Sequence, residues 1–409
     1  MEQAHYKVYG YRWAMLLVFM FAIAVNQLLW ITFASITGSA AKYYGVSDLS
    51  IGILSLSFMI VYIFVSIPAS WVIDTYGIRV AVGIGAALTG IFGLLRGLSA
   101  SSYTLVLISQ IGIAIGQPFI LNAVTTVAAR WFPIQERATA SGLGSLSMYL
   151  GIIVGLALTP YLAIQWGIGS LLVIYGIVSV IAGVVFFGVA RERPPTPPCP
   201  PDQEERSLVF DGLKQTLRKG NFFVLMLIFF VGLGVFNAVT TWIEDIVRPR
   251  GFSITQAGVI GGLMVLGGVI GALILPTLSD RYRKRVPFII LALAGATLGL
   301  VGITYGASYG LLLASAFVLG FFLLSAGPIG FQYGAEVAYP APEGTSNGLL
   351  LLMGQISGIV FILGMDGLKS PTTGSMTLPL AVLIGLMVLG VFISTRLKES
   401  TLLAGNARG

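Results

Sequence analysis

The chain holds one cysteine, Cys199, and one histidine, His5, and only 10% of its 409 residues are charged. A lone cysteine leaves no disulfide framework and no thiolate metal cluster. A lone histidine in the N-terminal tail excludes a histidine proton relay, a histidine metal centre and a central axial ligand for haem. No nucleophile–base pair and no phosphate-cradling loop stand out, so neither an enzyme nor a cofactor is expected. The shortage of charge says most. Soluble domains are about 25% charged, and a chain that is 56% hydrophobic has too little polar surface to face water. Alternating apolar and polar residues, the mark of a membrane β-barrel, are missing as well. The apolar runs are continuous over about 20 residues and therefore read as membrane-spanning helices.

Glycine is abundant instead, at 52 residues, nearly twice the usual share of about 7%. That suits helices whose packing in lipid depends on close backbone approach. Twelve spans are predicted, over 13–37, 50–73, 78–98, 103–128, 138–163, 167–190, 221–245, 255–278, 286–307, 310–335, 345–366 and 377–397. The first is too long for a signal-peptide core and is expected to be retained. Two six-helix halves, 1–190 and 221–409, flank a proline-rich and charged linker over 191–220. The linker reads as extended chain followed over 207–220 by a short amphipathic helix on the membrane surface, or by further unstructured linker. With the N-terminus inside, 18 of the 23 lysines and arginines fall in cytoplasmic segments. That bias places both termini in the cytoplasm. It also attributes the net charge of +7 to basic loops rather than to nucleic acid.

The halves repeat. Pro133 and Pro340 are 207 residues apart, as are Glu136 and Glu343; Gly52 and Gly258 are 206 apart, as are Asp74 and Asp280, and Gly142 and Gly348. Two six-helix halves with a long cytoplasmic linker form the layout of the major facilitator superfamily. The stretch Ser70-Trp71-Val72-Ile73-Asp74-Thr75-Tyr76-Gly77-Ile78-Arg79 resembles that superfamily's loop signature between its second and third helices, with Ser70 where glycine is usual. A second copy runs from Ser279 to Arg285; it keeps the acid Asp280 and the basic cluster with Arg281 but lacks the inner glycine. An aspartate at a helix end can accept hydrogen bonds from a neighbouring helix N-terminus and pair with arginine, so these residues read as a cytoplasmic gate or as topology signals. Glu136, Arg137 and Glu343, at the equivalent ends of the fourth–fifth and tenth–eleventh turns, are gate partners or solvated helix caps.

A solute site in this architecture lies near the bilayer midplane between the halves. The polar and tryptophan residues far from span ends are Asn26, Gln27, Trp30, Gln117, Asn122, Tyr149, Asn237, Thr240, Thr241, Trp242 and Gln355. Such amides and hydroxyls either bind solute or tie helices together, and tryptophans also form interfacial belts. Tyr149 and Gln355 are symmetry mates, 206 residues apart. No ionisable residue falls mid-span. Arg96 ends the third span, Glu336 the tenth and Asp366 the eleventh, while Glu244 and Asp245 end the seventh near the outer face. Buried acids are the usual proton carriers, so facilitated diffusion is favoured; proton coupling would fall to Glu244, Asp245 or Glu336. Tryptophan, amides and hydroxyls suit a neutral solute or a soft cation resting on an aromatic face. Pro118, beside Gln117, is expected to kink the fourth span.

The run GFFLLSAGPIGFQYGAEVAYPAPEGTSNGLLLLMGQISGI, from Gly320 to Ile359, resembles the matching region of the feline leukaemia virus subgroup C receptor family, a branch of that superfamily. Asn26 to Ile31, and Gln117 to Leu121 with Ala129 to Phe132, are similar to its first and fourth helices. The resemblance implies a choline or ethanolamine facilitator, or a haem exporter, in which Trp30, Gln117 and Gln355 match positions lining the choline site. The family's seventh helix carries an aromatic where this chain has Asn237, which removes one wall of an aromatic cage.

The expectation is thus an all-α, twelve-helix, alternating-access transporter for a small neutral or cationic organic solute, acting as a facilitator. Two alternatives stay open: a proton-coupled organic-anion or drug transporter, and a haem exporter or non-transporting receptor. The expected partners are a small-molecule substrate and the lipid bilayer, with no nucleic acid and a monomeric state. Compact loops point to a prokaryotic inner or cell membrane.

Overall fold

The computed structural model describes residues 8–196, 217, 219–338 and 343–399. His5, Cys199, the 339–342 turn and most of the surface helix expected over 207–220 lie outside them. The chain separates into two compact units, Met1–Ser207 and Leu208–Gly409. The first contains α1 (Tyr11–Ile31), α2 (Thr37–Tyr44), α3 (Asp48–Tyr76), α4 (Ile78–Leu98), α5 (Tyr103–Leu121), α6 (Val124–Trp131) and α7 (Ile134–Val189). The second contains α8 (Gly220–Thr241), α9 (Ile243–Val247), α10 (Ile254–Tyr282), α11 (Val286–Tyr305), α12 (Tyr309–Ala338), α13 (Glu343–Gly367) and α14 (Thr377–Ser394). No strand occurs among the described residues.

Eleven helical stretches among the described residues are long and apolar enough to cross a membrane. One of them, Thr139–Val189, runs for 51 residues, roughly 75 Å of helix against a hydrocarbon core of about 30 Å. Gly167, at φ 78° and ψ 164°, breaks it into two spans, which restores twelve.

Three predicted spans are discontinuous. The first stops at Ile31 and resumes as α2 at Thr37. The fourth is interrupted at Asn122–Ala123, between α5 and α6. Pro118 supplies no N–H to the carbonyl one turn before it; the Asn122 N–H still reaches the Pro118 carbonyl at 3.1 Å, and the helix tightens at Ala123, whose N–H takes the Ile120 carbonyl at 3.3 Å. The seventh ends at Thr241, where Trp242 (φ −99°, ψ 18°) precedes α9.

Each unit repeats one packing scheme. In the first, α1 packs on the first run of α7, α4 on its second run, and α3 and α4 both on α5. In the second, α8 packs on α13, α11 on α14, and α10 and α11 both on α12. Helices with the same place in the repeat therefore hold the same neighbours. Contacts are close: Gly320 of α12 sits so near the Met264 carbonyl of α10 that a Cβ would overlap it. Without a hydrophobic driving force between helices in lipid, such backbone approach is what makes the helices adhere.

Candidate functional site

The polar residues of the first unit divide into those already bonded and those with a free face. Asn26 is fully buried, and its Nδ2 donates to Thr89 Oγ1 of α4 at 3.1 Å; Gln27 Nε2 donates back to Asn26 Oδ1 at 3.4 Å. Asn122, at the break in the fourth span, accepts from the Tyr62 hydroxyl at 2.8 Å. It donates to Ser66 Oγ and Ser70 Oγ, both at 3.0 Å, and so ties α5 to α3. Trp30 is 6% exposed, and its indole N–H donates to the Ser55 carbonyl at 3.2 Å. That bond fixes the ring by its edge. Gln117 and Tyr149 make no hydrogen bond among the described residues, yet neither is sealed off: Gln117 keeps 7% exposure and Tyr149 is half-buried.

The second unit divides in the same way. Asn237 Nδ2 donates to the Gly354 carbonyl at 3.1 Å, linking α8 to α13. The next residue, Gln355, is half-buried and makes no hydrogen bond among the described residues. Trp242 is fully buried and donates to the Ile362 carbonyl at 3.1 Å, again from α8 to α13. Thr240 and Thr241 have sealed, unpartnered hydroxyls. Glu244 and Asp245 are both buried in α9. Glu244 meets Arg248 at 3.0 Å, and Asp245 meets Arg248 at 2.6 Å and Lys369 at 2.8 Å, so two cations hold these two acids.

At the helix ends that carry the repeated acid and basic cluster, the partners differ from those the sequence predicts. The carboxylate seated on the N-terminus of α4 is not Asp74, which is exposed and makes no hydrogen bond among the described residues. It is Glu192, which accepts from the backbone N–H groups of Ile78 at 3.2 Å and Arg79 at 2.8 Å and also pairs with Arg130. The Arg79 side chain is exposed. Gly77, at φ 91°, makes room: a Cβ there would overlap the Glu192 carboxylate.

The second unit repeats the arrangement 207 residues later. Glu399 accepts from the N–H groups of Arg285 and Val286 at 3.0–3.1 Å, at the start of α11. Asp280 pairs with Arg285 and not with Arg281, which is exposed. Glu336 joins Arg285 at 3.2 Å, so this acid is also paired. Burial alone would lower the Arg285 guanidinium, but the Asp280 hydrogen bond and the Glu336 carboxylate outweigh it and hold the group above its ordinary value. Glu136 pairs with Arg12 at 2.9 Å, while Arg137 Nε donates to the Phe132 carbonyl at 3.3 Å. Glu343 opens α13, and its side chain lies outside the described residues.

Arg96 departs most from its sequence reading. Counted there as a cation at the outer end of the third span, it is fully buried. Its Nη1 donates to the Leu29 carbonyl at 3.0 Å and to Gln110 Oε1 at 2.7 Å. No carboxylate pairs with it among the described residues. Glu192 and Glu399 stand 207 residues apart, the offset of the repeat, which links them to each other but not to a helix N-terminus; nothing in the sequence marked Arg96 as buried.

Comparison with known proteins agrees with this architecture. The model of the Major Facilitator Superfamily matches residues 15–362. Solute carrier family 49 member A3 of Xenopus tropicalis is 31% identical over 388 residues, covering 90% of this chain and 80% of that protein. The choline/ethanolamine transporter FLVCR2 of Homo sapiens is 28% identical over 376 residues, covering 87% of this chain and 71% of that protein. Among solved structures, a bacterial homolog of the human lysosomal transporter Spinster superposes with a TM-score of 0.70 at 17% identity, covering 97% of each chain.

Proposed function

From the premise that the chain belongs to the Major Facilitator Superfamily, and is thus a multi-pass membrane transporter, we propose that it carries a small neutral or cationic organic solute of the choline or ethanolamine type, as a facilitator. The observation that carries this reading is which polar side chains stay free. Gln117 and Tyr149 in the first unit and Gln355 in the second keep accessible polar atoms with no partner among the described residues. Each buried acid named above is already held by a cation. A free amide or phenol binds a hydroxyl or an amine, and the Trp30 face takes a quaternary ammonium at about 2 kcal/mol when dry. The name of FLVCR2 points to the same solute class.

On this reading Asn237 is a wall residue of the second unit, Asn26, Asn122 and Trp242 hold the wall's helices, and Asp74, Gly77, Arg79, Asp280, Arg281, Glu136, Arg137 and Glu343 belong to the cytoplasmic gate. Residues 1–190 and 221–409 form the two functional halves, both termini are cytoplasmic, and the membrane is a prokaryotic cell membrane. Uptake of labelled choline and ethanolamine into proteoliposomes tests the solute contacts. Gln117→Ala and Gln355→Ala are expected to raise KM about tenfold, and unchanged KM in both would overturn the assignment.

One observation supports a second reading, a proton-coupled carrier of organic anions: Glu244 and Asp245 are both buried at one helix break. It requires Asp245→Asn to abolish solute-linked proton movement.

A further inference from the structure

We propose that Arg96 is the positioning residue for Trp30, setting where α1 breaks and so where the indole stands. The last four carbonyls of an α-helix have no intrahelical partner. In α1, which ends at Ile31 with Thr32 as its cap, these begin with Leu29, and the chain does not re-enter a helix until Thr37; the Ile31 carbonyl takes the Ala34 N–H at 3.0 Å. Side chains from two other helices collect on that open end. The Leu29 carbonyl accepts from Arg96 Nη1 of α4 at 3.0 Å and from Gln110 Nε2 of α5 at 3.3 Å. Arg96 Nη1 also donates to Gln110 Oε1 at 2.7 Å, which locks the two side chains together.

Arg96 Nη2 lies 3.4 Å from Thr32 Oγ1, and that hydroxyl donates back to Leu28 at 2.9 Å. The guanidinium also stacks over the Phe33 ring, with its carbon 5.7 Å from the centroid. With no carboxylate partner among the described residues, its charge is balanced by the negative end of α1. The residue after Leu29 is Trp30, whose own side chain is fastened to Ser55. The position of the ring is therefore fixed from both ends, its backbone by Arg96 and Gln110 on the neighbouring Leu29 carbonyl and its indole N–H by α3. Preorganising an aromatic face in this way spares the binding step the ordering of that ring.

The proposal rests on the reading of Trp30 as part of the solute site, but its test does not need the solute. The chain has six tryptophans, so the Trp30 and Trp242 emissions are taken as the differences between each protein and its Trp30→Phe and Trp242→Phe counterparts. Acrylamide quenching is then measured on the full-length purified protein. Arg96→Gln is expected to raise the quenching constant of the Trp30 component about twofold, Arg96→Lys to give an intermediate value, and the Trp242 component to stay fixed. Should Arg96→Gln fail to fold, Gln110→Ala removes the second donor to Leu29 and decides the question in the same direction. An unchanged Trp30 component, or Trp30 and Trp242 components moving together, would overturn the proposal. In proteoliposomes KM for labelled choline is expected to rise with Vmax nearly constant, since ring placement acts on binding. If the wild type carries no choline, the solute reading fails while the quenching result still stands for or against Arg96.

Discussion

At Gly77 the backbone takes φ 91°, and the space where a side chain would begin is filled by the Glu192 carboxylate. A side chain here faces both a strained backbone and a displaced carboxylate. Gly77→Ala is therefore expected to lose about 1–3 kcal/mol, read as a lower Tm in detergent. Gly142, inside α7 with nothing within 4 Å of its missing Cβ, serves as the control: Gly142→Ala is expected to be neutral or stabilising by about 0.5–1 kcal/mol. A drop in Tm as large as that of Gly77→Ala would refute the explanation. Asn122 makes a different kind of contribution, since its amide bonds Tyr62, Ser66 and Ser70 together. Intramembrane hydrogen bonds are worth about 0.6 kcal/mol each, so Asn122→Ala is expected to lower Tm modestly. Equal Tm in the two proteins would show that the network adds nothing to stability.

Between helices, acids cap N-termini and cations cap C-termini. Glu192 sits on α4, Glu399 on α11 and Arg96 on α1; Arg250 donates to the carbonyls of Ile303 and Thr304 at the end of α11. A charge at a helix end contributes about 0.3–1 kcal/mol. Glu192, whose side chain is 33% exposed, belongs at the low end because solvent screens it. Glu192→Gln is thus expected to leave global stability nearly intact while speeding hydrogen exchange at the start of α4. Unchanged exchange there would contradict the capping role.

The spans and the repeat were legible because continuous apolar runs and a fixed offset are properties of the sequence itself. The break after Ile31 was not. Residues 32–36 contain no proline or glycine, and the break coincides with Arg96 and Gln110, from distant parts of the chain, taking the Leu29 carbonyl. Asn122 and Gln117 looked alike in sequence for the same reason: only packing decides which amide finds a helix to bond and which is left free.

Across the whole molecule, the superfamily's two-part design accounts for the twelve spans and for the matched packing of the two units. Within that design, the polar groups without a partner among the described residues include the amides of Gln117 and Gln355 and the Tyr149 phenol, while Glu244, Asp245 and Glu336 pair with arginine or lysine. On the proposed function, such a set would recognise a solute by hydrogen bonds and aromatic contact, while the three acids each lie in an ion pair. Labelled choline counterflow in proteoliposomes, with wild type beside Trp30→Ala and with and without a proton uncoupler, tests this most directly. The expected result is wild-type flux that ignores the uncoupler and falls at least about tenfold in Trp30→Ala. Flux that collapses with the uncoupler, or that survives in Trp30→Ala, would contradict it.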